Sequence, residues 1–170
     1  MKSNITLIGM PGSGKSTVGV ILAKFLSFGF IDTDILIQIN QQKKLQEIIN
    51  EKGPLAFRRI EEAEVLKLNI RDHIIATGGS VVYGCRAMSH LKHISLIVCL
   101  NVSLAELNRR IDDFETRGIA REKDQTFSDV FTERQQLYEK YADMIVDCDH
   151  IYQEKVALLI SSQVADIVNK

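Results

Sequence analysis

At 170 residues the chain has the length of one ordinary domain, and 45% hydrophobic against 25% charged residues argues against a disordered or fibrous polypeptide. Lys+Arg 21 against Asp+Glu 22 leaves a formal charge of -1, so there is no basic excess to hold nucleic acid by counterion release. Met1-Lys2-Ser3-Asn4 runs straight into an apolar strand, and no apolar run approaches the roughly 18 residues of a membrane span, which predicts a cytoplasmic protein with neither nucleic acid nor membrane as partner.

The first strand is predicted at Ile5-Thr6-Leu7-Ile8 and the first helix over 15 to 27. Between them, Gly9-Met10-Pro11-Gly12-Ser13-Gly14-Lys15-Ser16 fits G-x-x-x-x-G-K-[ST] in the strand-to-helix context this phosphate-binding loop requires. A polyphosphate is wrapped by backbone N–H groups at close range, where side chains would be in the way and glycines permit the necessary dihedrals. Gly12, Ser13, Gly14, Lys15, Ser16 and Thr17 are therefore the expected ATP contacts. Lys15 can reach the β- and γ-phosphates, and Ser16 can ligate Mg²⁺.

A second strand, Gly29-Phe30-Ile31-Asp32, ends in Asp32-Thr33-Asp34, followed by a helix predicted over 34 to 50. Ligands of open α/β sheets bind at the carboxyl edge, so both acids can face the site. Asp32 suits a water-mediated hold on the metal and Asp34 suits orienting or deprotonating a hydroxyl nucleophile. An ordinary helix N-cap explains the same residues equally well.

A third helix is predicted over 54 to 70, with Pro54 in its first turn and Glu61, Glu62 and Glu64 on a polar face. Arg58 and Arg59 then read most simply as surface partners of Glu61 and Glu62. The strand Ile74-Ile75-Ala76-Thr77 leads into Gly78-Gly79-Ser80, where consecutive glycines either let a ligand touch the backbone or merely turn the chain.

Further elements follow: a helix over 84 to 92, the strand Ser95-Leu96-Ile97-Val98-Cys99-Leu100, helices over 103 to 111 and 126 to 142, the strand Met144-Ile145-Val146-Asp147 and a helix over 151 to 168. The charged, broken stretch Asp112 to Asp124 reads as a mobile flap. Five short apolar strands alternating with helices predict an α/β fold, a parallel sheet covered on both faces. Cys85, Cys99 and Cys148 lack C-x-x-C spacing and the four histidines lack ligand spacing, which predicts buried free thiols and no zinc site.

Taken together, the phosphate loop, Asp32-Thr33-Asp34, Phe57-Arg58-Arg59-Ile60-Glu61-Glu62, Gly78-Gly79 and Glu133-Arg134-Gln135-Gln136-Leu137-Tyr138 resemble the shikimate kinase family in order and spacing, over about the first 148 residues. The resemblance implies a three-layer P-loop kinase fold in one domain, residues 1–170, with strand order 2-3-1-4-5 and a lid over about 112 to 124. It also implies substrate-binding helices over about 34 to 62. By position it implies that Asp34, Arg58, Gly78, Gly79 and Arg134 bind the acceptor. Lys15 and Arg117 would make catalytic phosphate contacts beside the base Asp34, Arg110 would lie by the adenine, and Ser16 with Asp32 would hold Mg²⁺. Two positions depart from the family pattern. Ser80 stands where a third glycine is usual, and Arg117-Gly118-Ile119 stands where the lid usually reads Arg-Pro-Leu, leaving Arg121 as an alternative to Arg117.

The implied activity is ATP-dependent phosphorylation of shikimate by a monomer whose partners are ATP and a small hydroxy acid. A kinase for gluconate or homoserine is the second possibility, and a non-catalytic nucleotide-sensing module the third. A GTPase switch would carry N-K-x-D, whereas Asn101 is followed by Val102.

Overall fold

The computed structural model of the chain describes residues 2–110, 119–122 and 124–168. In chain order the elements are β1 (Asn4–Ile8), α1 (Lys15–Leu26), β2 (Gly29–Asp32), α2 (Thr33–Gln41), α3 (Leu45–Lys52), α4 (Pro54–Leu66), β3 (His73–Ala76), a 3-10 turn (Val81–Tyr83), α5 (Cys85–Ile94), β4 (Ser95–Asn101), α6 (Leu104–Arg110), α7 (Phe127–Tyr141), β5 (Met144–Asp147) and α8 (Gln153–Val168). The strands form one sheet of order β2-β3-β1-β4-β5, parallel at every pairing. That is the fold class and order expected.

β1 is the centre of the sheet and every one of its residues is buried. Ile5, Leu7 and Ile8 enter the main core with Ile74 and Ile75 of β3 and Ile97 and Val98 of β4. Its polar residues are matched. Thr6 Oγ1 lies 2.7 Å from Ser95 Oγ, while Asn4 donates to the carbonyls of Ile70 and Ile94 at 2.9 and 3.0 Å and accepts from the His73 N–H at 3.0 Å. A buried amide left without partners costs more than its bonds are worth; here it ties the amino ends of β3 and β4 to β1. The register is thereby pinned at Ile5↔Ile74 and Ile5↔Leu96. The carboxyl ends of β1, β2 and β3 consequently emerge along one edge.

The helix expected over 34 to 50 is two helices. Gln42 adopts φ 53 and its N–H bonds back to Gln38 and Ile39, closing α2 in a left-handed cap without glycine; the Lys44 N–H then donates to Glu47 Oε2 at 3.0 Å and opens α3. The break turns Ile48 and Ile49 onto Ile37 and Phe57, forming a second apolar cluster completed by Ala120. α4 is correspondingly enclosed, packing on α2 and α3, on the 3-10 turn and on α5. The polar face predicted for it is therefore wrong: Glu61 and Glu64 are buried. Glu64 accepts from Asn40 at 2.8 Å and from Lys67 at 2.7 Å. Of the cysteines, Cys99 and Cys148 are buried but Cys85, at the start of α5, is exposed. Among the described residues no helix is long and apolar enough to cross a membrane.

Candidate active site

The loop between β1 and α1 forms the floor of the site. Gly14 takes φ 95 at the N-cap of α1 and supplies no side chain to it, a conformation costly for any other residue. The first N–H groups of a helix have no intrahelical partner, so those of Lys15, Ser16 and Thr17 are available to an anion, aided by the helix dipole. Lys15 is buried, and its Nζ donates to the carbonyls of Gly9 and Met10 at 2.8 and 2.9 Å. Loss of hydration on burial lowers its pKa to about 8, an effect only partly offset by Asp34 and Asp32.

Asp32 fills the helix N-cap that the sequence offered as its ordinary role, and it also bonds Ser16. Its Oδ1 caps α2 by accepting from the N–H groups of Asp34 and Ile35 at 3.0 and 3.4 Å, and its Oδ2 accepts from Ser16 Oγ at 2.6 Å. Asp34 in the first turn of α2 faces the cavity. Burial raises its pKa to about 6, with Asp32 adding to the rise and Lys15 opposing it.

Gly78 and Gly79 are required by close approach. A β-carbon on Gly78 would collide with Glu61 Oε1 and stand 2.6 Å from Asp34 Oδ1, and one on Gly79 would meet Pro11 Cδ at 2.8 Å and Arg134 Nη1 at 3.0 Å. Two carboxyl groups and one guanidinium thus close over the glycines. Ser80 borders the cavity with them, but it is buried and its Oγ donates to Glu61 Oε2 at 2.6 Å. Burial, reinforced by Asp34, raises the Glu61 pKa to about 8, so this carboxyl is largely neutral at pH 7.

Arg134, on α7, is buried with 1% exposure. Its Nη2 donates to the Ala120 carbonyl at 2.7 Å. One helical turn on, Tyr138 donates to the Gly79 carbonyl at 2.6 Å, which gives the Arg-x-x-Leu-Tyr spacing a physical meaning. Arg58 is not the surface ion-pair partner that the sequence suggested; its guanidinium lies over the ring of Tyr83, 3.7 Å from the centroid.

The cavity so formed has a volume of about 370 Å³. Lys15, Ser16, Thr17, Asp34 and Arg134 line it, as do the glycines at 12, 14, 78 and 79. Ser13, Asp32, Arg58 and Arg110 lie outside the lining. Arg110 is held by Glu106 at 2.8 Å and by the Cys148 carbonyl at 2.7 Å. Arg117 and most of the stretch 112–124 fall outside the described residues; of its described part, Ile119 and Ala120 line the cavity. Arg121 Nη1 donates to the Gln125 carbonyl at 2.9 Å. The sequence reading missed the inward orientation of Glu61 and the parts played by Tyr83 and Tyr138. Of these only Tyr138 carried a signal, its i+4 spacing from Arg134.

The sequence model of the shikimate kinase family matches residues 11–165. Shikimate kinase of Rippkaea orientalis is 40% identical over 146 residues, covering 84% of this chain and 77% of its own. That of Clostridium botulinum is 35% identical over 161 residues, covering 92% and 94%. In fold, the chain superposes with a TM-score of 0.90 on a solved shikimate kinase from Acinetobacter baumannii in complex with shikimate, at 24% identity and covering 100% of this chain and 97% of that one. The phosphate loop and the charged cavity beside it are thus those of a small-molecule kinase, and the chain belongs to the shikimate kinase family.

Proposed function

We propose that the chain transfers the γ-phosphoryl group of ATP to a hydroxyl of shikimate, giving shikimate 3-phosphate and ADP. The observation that carries the proposal is the meeting of Asp34 and Arg134 with Lys15 in one cavity, with Arg58 stacked on Tyr83, whose ring also lies 5.4 Å from Arg134. The phosphate loop binds the nucleotide, through Gly12, Ser13, Gly14, Lys15, Ser16 and Thr17, and Arg110 lies toward the adenine. Arg58 and Arg134 clamp the acceptor's carboxylate, for which planar guanidiniums are geometrically matched. Gly78 and Gly79 let the acceptor ring approach the backbone.

With Asp34 near pKa 6, its carboxylate is mostly ionised at neutral pH yet basic enough to accept the hydroxyl proton. The hydroxyl oxygen then bonds to the γ-phosphorus as the bond to the β–γ bridging oxygen breaks, ADP leaves, and the proton rests on Asp34. Lys15 and Arg117 neutralise charge that shifts toward the leaving phosphates. Ser16 Oγ and Asp32 Oδ2, 2.6 Å apart, form an all-oxygen pair suited to Mg²⁺. Among the described residues there is no cluster of three or more acidic, His or Cys ligands, which fits a cation held chiefly by the phosphates of its nucleotide. When bound, that ion screens the β- and γ-phosphates. The proposed enzyme is a cytoplasmic monomer of one domain, 1–170, with acceptor-binding helices over about 34 to 62 and a lid over about 112 to 124.

The test is a coupled ADP-release assay with shikimate, gluconate, homoserine and buffer alone. ADP release dependent on shikimate is expected. Turnover of gluconate or homoserine without turnover of millimolar shikimate would overturn the acceptor and leave the kinase standing.

A further inference from the structure

Tyr83 occupies the last position of the 3-10 turn that follows Gly78-Gly79-Ser80. That turn packs against both α4 and α7, the helices that carry Arg58 and Arg134. One aromatic ring therefore reaches both arginines: the Arg58 guanidinium carbon lies 3.7 Å from the ring centroid and that of Arg134 lies 5.4 Å away. Both distances are within the range over which a cation is drawn to an aromatic face. The Nε atoms of Arg58 and Arg134 and the Tyr83 hydroxyl are buried and have no hydrogen-bond partner among the described residues.

We propose that Tyr83 is a positioning residue for the acceptor, its ring holding Arg58 by the face so that the in-plane N–H donors stay free for the acceptor's carboxylate. This rests on the proposed carboxylate clamp of Arg58 and Arg134. A guanidinium bonds carboxylates along its edge and stacks on rings with its face. A protein carboxylate placed against Arg58 would hold it equally well, but would occupy the edge that the acceptor needs and cancel the charge that attracts it. An aromatic face attracts the cation without using a single N–H. The same ring lies near the buried Arg134, where its negative face moderates the repulsion between the two cations. The function is assigned to the face of the ring rather than to its hydroxyl.

The experiment is steady-state kinetics on the full chain, varying shikimate at saturating ATP, for Tyr83→Leu, Tyr83→Phe and Arg58→Ala. Tyr83→Leu is expected to raise the Michaelis constant for shikimate by about tenfold, with kcat changed less than about twofold and the Michaelis constant for ATP unmoved. Tyr83→Phe keeps the face and should stay within about twofold of the parent. An unchanged shikimate constant in Tyr83→Leu overturns the proposal, as does a Tyr83→Phe variant as impaired as Tyr83→Leu. Arg58→Ala separates the two layers: if it too leaves the shikimate constant unchanged, the clamp itself is wrong, whereas a rise in Arg58→Ala alone removes only the role of Tyr83. Should Tyr83→Leu not fold, Tyr83→Met replaces it in the same comparison with Tyr83→Phe.

Discussion

Ser80 Oγ donates to Glu61 Oε2 at 2.6 Å with both residues buried, and this bond fixes what the serine does. In sequence Ser80 looks like an added side chain beside the acceptor ring. In the structure the residue still borders the cavity beside Gly78 and Gly79, but its hydroxyl is committed to Glu61 of α4. Ser80→Ala should therefore leave the Michaelis constant for shikimate within about twofold while lowering stability by about 1–3 kcal/mol, the range for a buried polar group deprived of its partner. Urea unfolding and shikimate titration of the same preparation check both halves. A large rise in the Michaelis constant without loss of stability would place Ser80 against the acceptor after all.

Glu61 sets a pH dependence of stability. Its folded pKa is raised to about 8 from 4.5, so between those values the folded state holds a proton that the unfolded state has released. Stability accordingly falls as pH rises through this window. Asp34, raised to about 6 from 3.8, acts in the same direction at the acid end. Lys15, lowered to about 8 from 10.5, acts oppositely above pH 8, where neutralisation of the unfolded lysine lags behind that of the folded one. The ligand-free Tm should therefore decline between pH 5 and 8, and Glu61→Gln should flatten that decline. Parallel slopes for the parent and Glu61→Gln would show that the carboxyl ionises normally.

The sheet was legible in the sequence because a parallel, doubly covered strand reads as a short β-branched run; Ile5, Ile74, Ile75, Ile97 and Val98 are all buried. The phosphate loop was legible because its chemistry dictates residue types locally. Gln42 was not, since a left-handed cap built without glycine leaves no mark in the sequence. Nor was the inward face of α4. Arg58, Glu61 and Glu64 look like surface charge at helical spacing, and only the packing of α2, α3, α5 and the 3-10 turn around that helix gives them tertiary partners. Tyr83 meets Arg58 and Arg134 across 25 and 51 positions of chain, and no local pattern encodes such a contact.

Lys15→Met should abolish most turnover without unfolding the chain. Removing one contact to charge that develops during transfer lowers the rate by about 10² to 10³. The variant loses hydrogen bonds to the Gly9 and Met10 carbonyls, but it also removes a buried charge that desolvation has already disfavoured. These effects oppose each other, so Tm should move by only a few degrees. A variant retaining half the parent kcat would remove Lys15 from the chemistry.

Asp34 carries the sharpest kinetic expectation, because two of its neighbours set its proton affinity in opposite senses. Burial, with Asp32 adding to it, raises the pKa to about 6, and Lys15 draws it down. The pH profile of kcat/KM reports ionisations of the free enzyme, so activity on shikimate should fall on the acid side with an apparent pKa near 6. Asp34→Asn keeps the size and an acceptor oxygen but cannot take the hydroxyl proton. It should lower kcat by about 10² to 10⁴, the usual contribution of a positioned base, while raising the Michaelis constant far less. The residual activity should lose the acid limb. Glu61 lies close enough to Asp34 that the Asp34 charge adds to the rise of the Glu61 pKa. Glu61→Gln removes one negative charge from the pair above pH 8, and the Asp34 limb should then shift toward lower pH or stay in place, never higher. An acid limb that survives intact in Asp34→Asn would assign the base to another group.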